Sequence, residues 1–486
     1  MNSFNVIAIG GTGMRCAESL VHLCSMGMFD NTEIHLLALD TDYKNGNFKR
    51  LKTLVDNYNN ITADRDGVAS DTLFSAKIVY YTFSPDYNAG TNYDIVAHYS
   101  DAQASTHDED AVKWQESDLA DLFLDPNVRK MDLQHGYRAQ TQMGSMLMYH
   151  AIKEEAYKNK GKGSDLVRFV ENLMANPNNI VFLFGSVFGG TGASSIPVLP
   201  HALQEAVYAT SDKFALNSQA ALSFYNEDQT VRDTYKRLYL IGRDKPRNVT
   251  RHDAQSVTGG DAQRNPEDYI ELLAASAAYD FYHSALAHLQ KPVFGNEAQI
   301  FYRTLASDEA DCLTFESFFG EDKDKFAQKC GIMMASAFLY GPQDFANNRR
   351  NHSSFQALTE QNVKDIRDYF RKFYDLEELD ETEPGSGWIK QMQESAIDIG
   401  YKGFLFDQAA YSTSANSARK FKYNDKLFPA DSAYKYSVSL MSSAFDTFKK
   451  EFGDTVFSDS DKTAVSALMK RTYDTFSRLY GFTVKN

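Results

Sequence analysis

The chain is poor in what would commit it to a special class. Across 486 residues it carries 4 cysteines, 11 prolines and 2 tryptophans. Cys16, Cys24, Cys312 and Cys330 show neither the paired spacing of a zinc site nor a dense disulfide framework, which points to a reducing compartment. No apolar run approaches the roughly 20 residues of a membrane span, and the opening "MNSFNVIAIG" has no basic n-region and no cleavage site. A cytoplasmic protein is expected. Basic residues number 50 against 65 acidic ones, and the net charge of −15 argues against a general nucleic-acid binder. It does not argue against one nucleotide held in a local pocket. Catalytic signatures are missing as well. There is no G-x-x-x-x-G-K-[ST], since "GKGSD" near residue 161 lacks the leading glycine, and there is no H-E-x-x-H or G-x-S-x-G. His283 and His288 stand five apart, wrong for one helix face.

What the chain does have is glycine at two chosen places. "NVIAI" at 5–9 is a short apolar strand running into Gly10, Gly11, Thr12 and Gly13; "NIVFLFGSV" runs into Gly189, Gly190, Thr191 and Gly192. Each cluster is followed by a helical pattern, "MRCAESLVHLCSMG" after the first and "SSIPVLPHALQEAVYA" after the second. A turn without Cβ atoms lets backbone N–H groups face outward at close range, and the positive end of the next helix attracts an anion. "EIHLLALDTD", "AKIVYYTF", "LNSQAALSFY" and "RLYLIGRD" are further strands. Strand, glycine loop and helix in repeated order predict a parallel sheet with helices on both faces, and ligands in such sheets bind at the carboxyl edge. From about residue 266 the character changes. "NPEDYIELLAASAAYDFYHSALAHL" reads as one long helix opened by Asn-Pro, and helical patterns dominate thereafter. The expected organisation is a nucleotide-type domain over 1–264, a connecting helix over 265–290 and a helix-rich region over 291–486. The richness in Tyr and Phe, 28 and 34 residues, fits core and protein-interaction surface better than base stacking in so acidic a chain.

Which ligand the turns would hold is narrowed by their neighbours. A dinucleotide fingerprint fits poorly, because Cys16 stands where the third glycine belongs, although Asp40 and Asp42 lie at a ribose-binding distance. The ordered set of motifs resembles the tubulin/FtsZ superfamily of GTP-binding proteins, and within it the divergent bacterial tubulin-like families. "FGGTGASS" is similar to the family's GGGTG[ST]G phosphate loop, and "VIAIGGTGMRCAESL" to its first loop, GxGGxGxN. "LLALDTD" resembles FIAVNTD, and "GYRAQTQMGSML" keeps the eight-residue glycine spacing of the loop that faces the γ-phosphate, with Gly136 and Gly144. "SFYNEDQTVRD", "YLIGRDKP" and "NPEDYIELLAAS" stand where the family has its sugar-contacting segment, the strand beside the base and the start of the central helix. The resemblance spans about 280 residues. It implies a Rossmann-type parallel sheet, a long central helix, bound GTP or GDP with Mg²⁺, and head-to-tail self-assembly.

The resemblance also assigns roles. Gly10, Gly11, Gly13, Gly189, Gly190 and Gly192, with Ala193, bring backbone to the phosphates, and Thr12 and Thr191 add hydroxyl donors. Asp40, Thr41 and Asp42 reach phosphate and its cation, Asp42 being the metal candidate; a strand-end turn is the plain alternative. Gly136 and Arg138 belong to the γ-phosphate loop, where Arg138 either grips phosphate bidentately or is a surface arginine. Glu227 either takes ribose hydroxyls or sits in a solvated acidic turn. Arg243 replaces a base-contacting Asn, leaving Asn265 as the candidate for the base edge or simply a helix cap. Tyr269 either stacks on the base or packs. One departure bears on chemistry. Hydrolysing relatives present NxDxxD or NxDxxE after the central helix, and that spacing is missing here. Asp308, Glu309 and Asp311 are the acids available to position water in a neighbouring subunit's site. Two readings follow: a GTPase that assembles head to tail, or a non-hydrolysing nucleotide-binding scaffold that presents its helical half to protein partners.

Overall fold

The computed structural model describes residues 2–42, 45–85, 136–137, 140–158, 163–175, 180–187, 189–199, 201–203, 206, 221–223, 235–242, 269–289, 299–304, 322–341, 345–346, 353–373, 387–389, 392, 450, 452 and 464–479. Seven parallel strands form one sheet. They are β1 (Asn2–Ile9), β2 (Thr32–Leu39), β3 (Lys77–Phe83), β4 (Ile180–Phe184), β5 (Ala221–Ser223), β6 (Tyr235–Gly242) and β7 (Gln299–Thr304). Their order is β3-β2-β1-β4-β5-β6-β7. All six pairings are parallel, as expected from strands that alternate with helices. The expectation of an α/β sheet holds, with one addition: β7 lies beyond the long helix, in the region expected to be mainly helical. Its partner β6 is some 60 residues away in sequence, so local periodicity gives no hint of the pairing.

β1 is an interior strand and is apolar from Val6 to Ile9 because both of its faces are covered there. Phe4, Val6 and Ala8 point to one layer; Ile7 and Ile9 point to the other. The first layer holds α1 (Gly10–Ser25), α2 (Gly46–Thr62) and α6 (Tyr269–Leu289). The second holds α3 (Thr141–Lys158), α4 (Asp165–Ala175) and the segment that begins with α5 (Gly190–Ser195). α2 is helical because Phe48, Leu51, Leu54, Val55, Tyr58 and Ile61 recur at helical spacing and are all buried, while Asn45 caps its start. The expected helix after the second glycine cluster begins as α5 and passes through a turn at 196–198, near Pro197.

The described C-terminal helices do not stand apart. α7 (Lys323–Tyr340), α9 (Glu360–Phe373) and α10 (Ala464–Leu479), with the short α8 (Ser353–Gln356), share one continuous apolar core with α1, α2 and α6. Polar ties reinforce that packing. Lys329 of α7 donates to the carbonyl of Gly27 and pairs with Asp30 at 3.1 Å, and the Asp64 carboxylate caps the start of α10 at Val465 and Ser466. His22 of α1 is stacked on Trp388 and touches Tyr369; burial lowers its pKa to about 3, so it is neutral core material. Cys16, Cys24 and Cys330 are buried free thiols. Among the described residues no helix is long and apolar enough to cross a membrane.

Candidate functional site

The register of the sheet sets where the site lies. Ile9 pairs with Leu39, Ala8 with Phe184 and Leu39 with Phe83, so the strands β1, β2, β3 and β4 end at nearly one level. The chain leaves β1 into Gly10, β2 into Asp40 and β4 into the second glycine loop. β1 and β4 are neighbours, and the sheet runs out in opposite directions from them. This reversal of strand order is where parallel sheets open a crevice.

The two glycine loops touch. A Cβ placed on Gly10 would lie 3.5 Å from Thr191 Cβ and 3.7 Å from the Gly192 nitrogen, and Gly10 itself has a left-handed φ of +68°. The helix α1 starts directly from this residue. Its N-cap is Ile9, which offers no side-chain acceptor, and no acidic residue occupies its first turn. α5 is alike: its N-cap is Gly189, again with no capping side chain. α2, by contrast, is capped by Asn45, which accepts from the Asn47 N–H at 2.8 Å. The first-turn N–H groups of α1 therefore face the crevice with no side chain bonded across them, the arrangement that favours an anion.

The glycines divide by what their missing side chains permit. At Gly13 a Cβ would stand 2.6 Å from the carbonyl oxygen of Phe184, and at Gly192 it would collide with the Ser186 carbonyl. Gly13 lets α1 pack on β4, and Gly192 lets α5 pack on the chain just after β4. Gly144, in α3, does the same against Ser194 and Tyr137. Gly11 faces Asn47, whose Nδ2 would lie 2.8 Å from a Cβ there. Around Gly189 nothing lies within 4 Å. A Cβ on Gly136, whose φ is +84°, would lie 3.5 Å from Thr41 Oγ1 and 3.8 Å from Thr191 Oγ1, so Gly136 stands beside the end of β2 and the second glycine loop.

One acid binds the parts together. Asp40 is 3% exposed and accepts from the Thr41 N–H at 2.8 Å, the Asp42 N–H at 3.4 Å, Asn45 Nδ2 at 3.4 Å and the Thr191 hydroxyl at 3.1 Å. Burial pushes its pKa up to about 6; the Thr191 hydroxyl and the two backbone donors pull the other way without cancelling it. Thr41 Oγ1 lies 3.4 Å from Thr191 Oγ1. The expected outward role of Thr191 is thus corrected: its hydroxyl is turned to Asp40 and Thr41. The N–H of Ala193 is bonded to the Gly189 carbonyl, within the turn. Gly190 and Thr12 stay partly exposed at the edge. Asp42 is buried beside Asp40, and among the described residues no three acids, histidines or cysteines gather as a metal cluster.

Further along α1, Arg15 pairs through Nε with Glu271 on α6, and its Nη2 lies 3.5 Å from the Thr12 hydroxyl. Glu271 has no exposed surface. Tyr269, expected as a base-stacking candidate, is corrected to packing: it is 0% exposed and its ring belongs to the apolar core, so no face remains for a ligand. Arg138, Glu227, Arg243, Asn265, Asp308, Glu309 and Asp311 lie outside the described residues. Sequence reasoning missed Arg15, Asn45, Asn47 and Glu271. Only Asn45 left a signal, an Asn before an apolar period of helical spacing. Comparison of the chain with protein-family models, curated proteins and solved structures returns no match.

Proposed function

We propose that the chain is a tubulin-like guanine-nucleotide-binding protein that holds GTP or GDP over the two glycine loops and acts as a GTPase in a head-to-tail assembly. The observation that carries this reading is the meeting of the loops after β1 and β4, with the uncapped start of α1 aimed at one crevice. In this reading the N–H groups of Gly11 and Thr12, which have no acceptor within α1, bind phosphate oxygens, and Gly189 and Gly190 approach from the other side. The donor set at the end of β2 is oxygen only, as Mg²⁺ requires, and fits an ion whose other ligands are phosphate oxygens and water. Asp42 would hold that ion, and when bound it neutralises phosphate charge. Asp40 is the clamp between β2 and the second loop. The acid that positions an attacking water comes from a neighbouring subunit, with Asp308, Glu309 and Asp311 as candidates. The missing NxDxxD spacing favours the second reading, a nucleotide-binding scaffold without turnover.

The test is the nucleotide that travels with the protein. Denaturing the purified chain and chromatographing what it releases is expected to give GDP or GTP; release of NAD, or retention of no guanine nucleotide after incubation with GTP, sinks the proposal. Turnover that rises with protein concentration, together with sedimentable filaments, separates the GTPase from the scaffold.

A further inference from the structure

Asn47 is the second residue of α2 and is 1% exposed, yet its Oδ1 has no hydrogen-bond partner among the described residues. Its backbone is fixed. The Asn47 N–H donates to Asn45 Oδ1 at 2.8 Å, and Asn45 in turn reaches Asp40 with Nδ2. That chain of polar groups carries the Asn47 side chain from the clamp on β2 to the first glycine loop. There its Nδ2 occupies the space that a Cβ on Gly11 would need. Gly11 is thus a glycine because Asn47 stands over it. A polar side chain supplied by α2 takes the place that the loop's own residue would have filled.

We propose that Asn47 is a ligand-contacting residue of this site, donating from Nδ2 to a phosphate oxygen above Gly11 and accepting at Oδ1 from a water on the accompanying cation. The proposal rests on the nucleotide reading given above. A carboxamide is donor at one end and acceptor at the other. An ionised phosphate only accepts, so the nitrogen must face it, and the nitrogen is the atom that meets Gly11. The oxygen then needs a proton donor, and the waters of a phosphate-bound Mg²⁺, which keeps several of them, are donors of that kind. A mere filler above Gly11 would have no need of two polar ends in so buried a place.

Isothermal titration of wild type, Asn47→Ala and Asn47→Asp with GTP, in Mg²⁺ and again in EDTA, tests this. The alanine variant is expected to bind Mg·GTP at least tenfold more weakly, the scale of a hydrogen bond to a charged group. The isosteric aspartate sets a negative charge against phosphate, so it is expected to lose more affinity in EDTA than in Mg²⁺. Equal affinity of wild type and Asn47→Ala overturns the role of Asn47 and leaves the nucleotide reading standing. Absence of GTP binding by wild type overturns both. Should the alanine variant not fold, wild-type affinity of Asn47→Asp in EDTA overturns the proposal by itself.

Discussion

The Thr191 hydroxyl donates to Asp40 Oδ1 across 3.1 Å, so a single buried acid holds the end of β2 to the second glycine loop. Thr191→Val keeps the shape and removes the bond. We expect a loss of about 1–2 kcal/mol in stability, read by urea unfolding, because a charged acceptor loses one of its donors. GTP affinity should fall with it, since the loop that Thr191 anchors lines the crevice. A variant as stable as wild type would mean that the clamp does not hold the loop.

The same acid predicts a pH dependence of known sign. Asp40 has a pKa raised to about 6 in the fold, above the ordinary carboxylate value of 3.8. The folded state therefore binds the extra proton between these values. Its contribution is fully present below pH 4 and is lost as pH rises through 6, on the order of 3 kcal/mol for a shift of about two units. Unfolding free energies of wild type and Asp40→Asn, measured from pH 4 to 7.5, should differ by a term that grows across that window. Parallel curves would exclude the raised carboxyl.

Two glycines in the loops should fail in opposite ways. Gly13→Ala drives a methyl group against the Phe184 carbonyl, and about 1–3 kcal/mol of stability should go with the forced backbone shift. Gly189 has φ −86° and ψ 148°, which alanine adopts freely, and open space around it. Gly189→Ala should leave the melting temperature unchanged and weaken nucleotide binding. Equal melting temperatures for the two variants would mean that α1 can yield where it meets β4.

Arg15 and Glu271 form a buried pair between α1 and α6. Glu271→Leu alone strands a cation and should cost about 3–5 kcal/mol, whereas Arg15→Met with Glu271→Leu should cost clearly less. A double-mutant cycle measured by chemical denaturation reads the difference, and additive losses would show that the pair is not coupled.

Much of the fold was legible because its signals are local. The apolar run of β1 ending at Gly10, and that of β4 running toward Gly189, mark strand ends directly. The site was legible only as backbone. That Asp40 would turn inward to Thr191, and not outward to solvent, depends on a residue 151 positions away. For Tyr269 the sequence left stacking on a base and packing both open, and only the assembled core, in which it is fully buried, separates them. Asn47 carried no motif at all; its place follows from α2 starting beside the first loop, which is a fact of the assembled sheet.

The core that covers α1 and α2 also has consequences for how the chain comes to be folded. Phe4, Leu20, Val55 and Tyr58 belong to one cluster with Met333, Ile366, Phe370 and Leu468. During synthesis α1 and α2 emerge early, at ~5–20 residues per second, and their outer apolar faces wait for helices made hundreds of residues later. Deleting α9 or α10 would therefore not leave a tidy amino-terminal half. It would leave the outer apolar faces of α1 and α2 uncovered, and aggregation of the remainder is the outcome to expect when those helices are cut away.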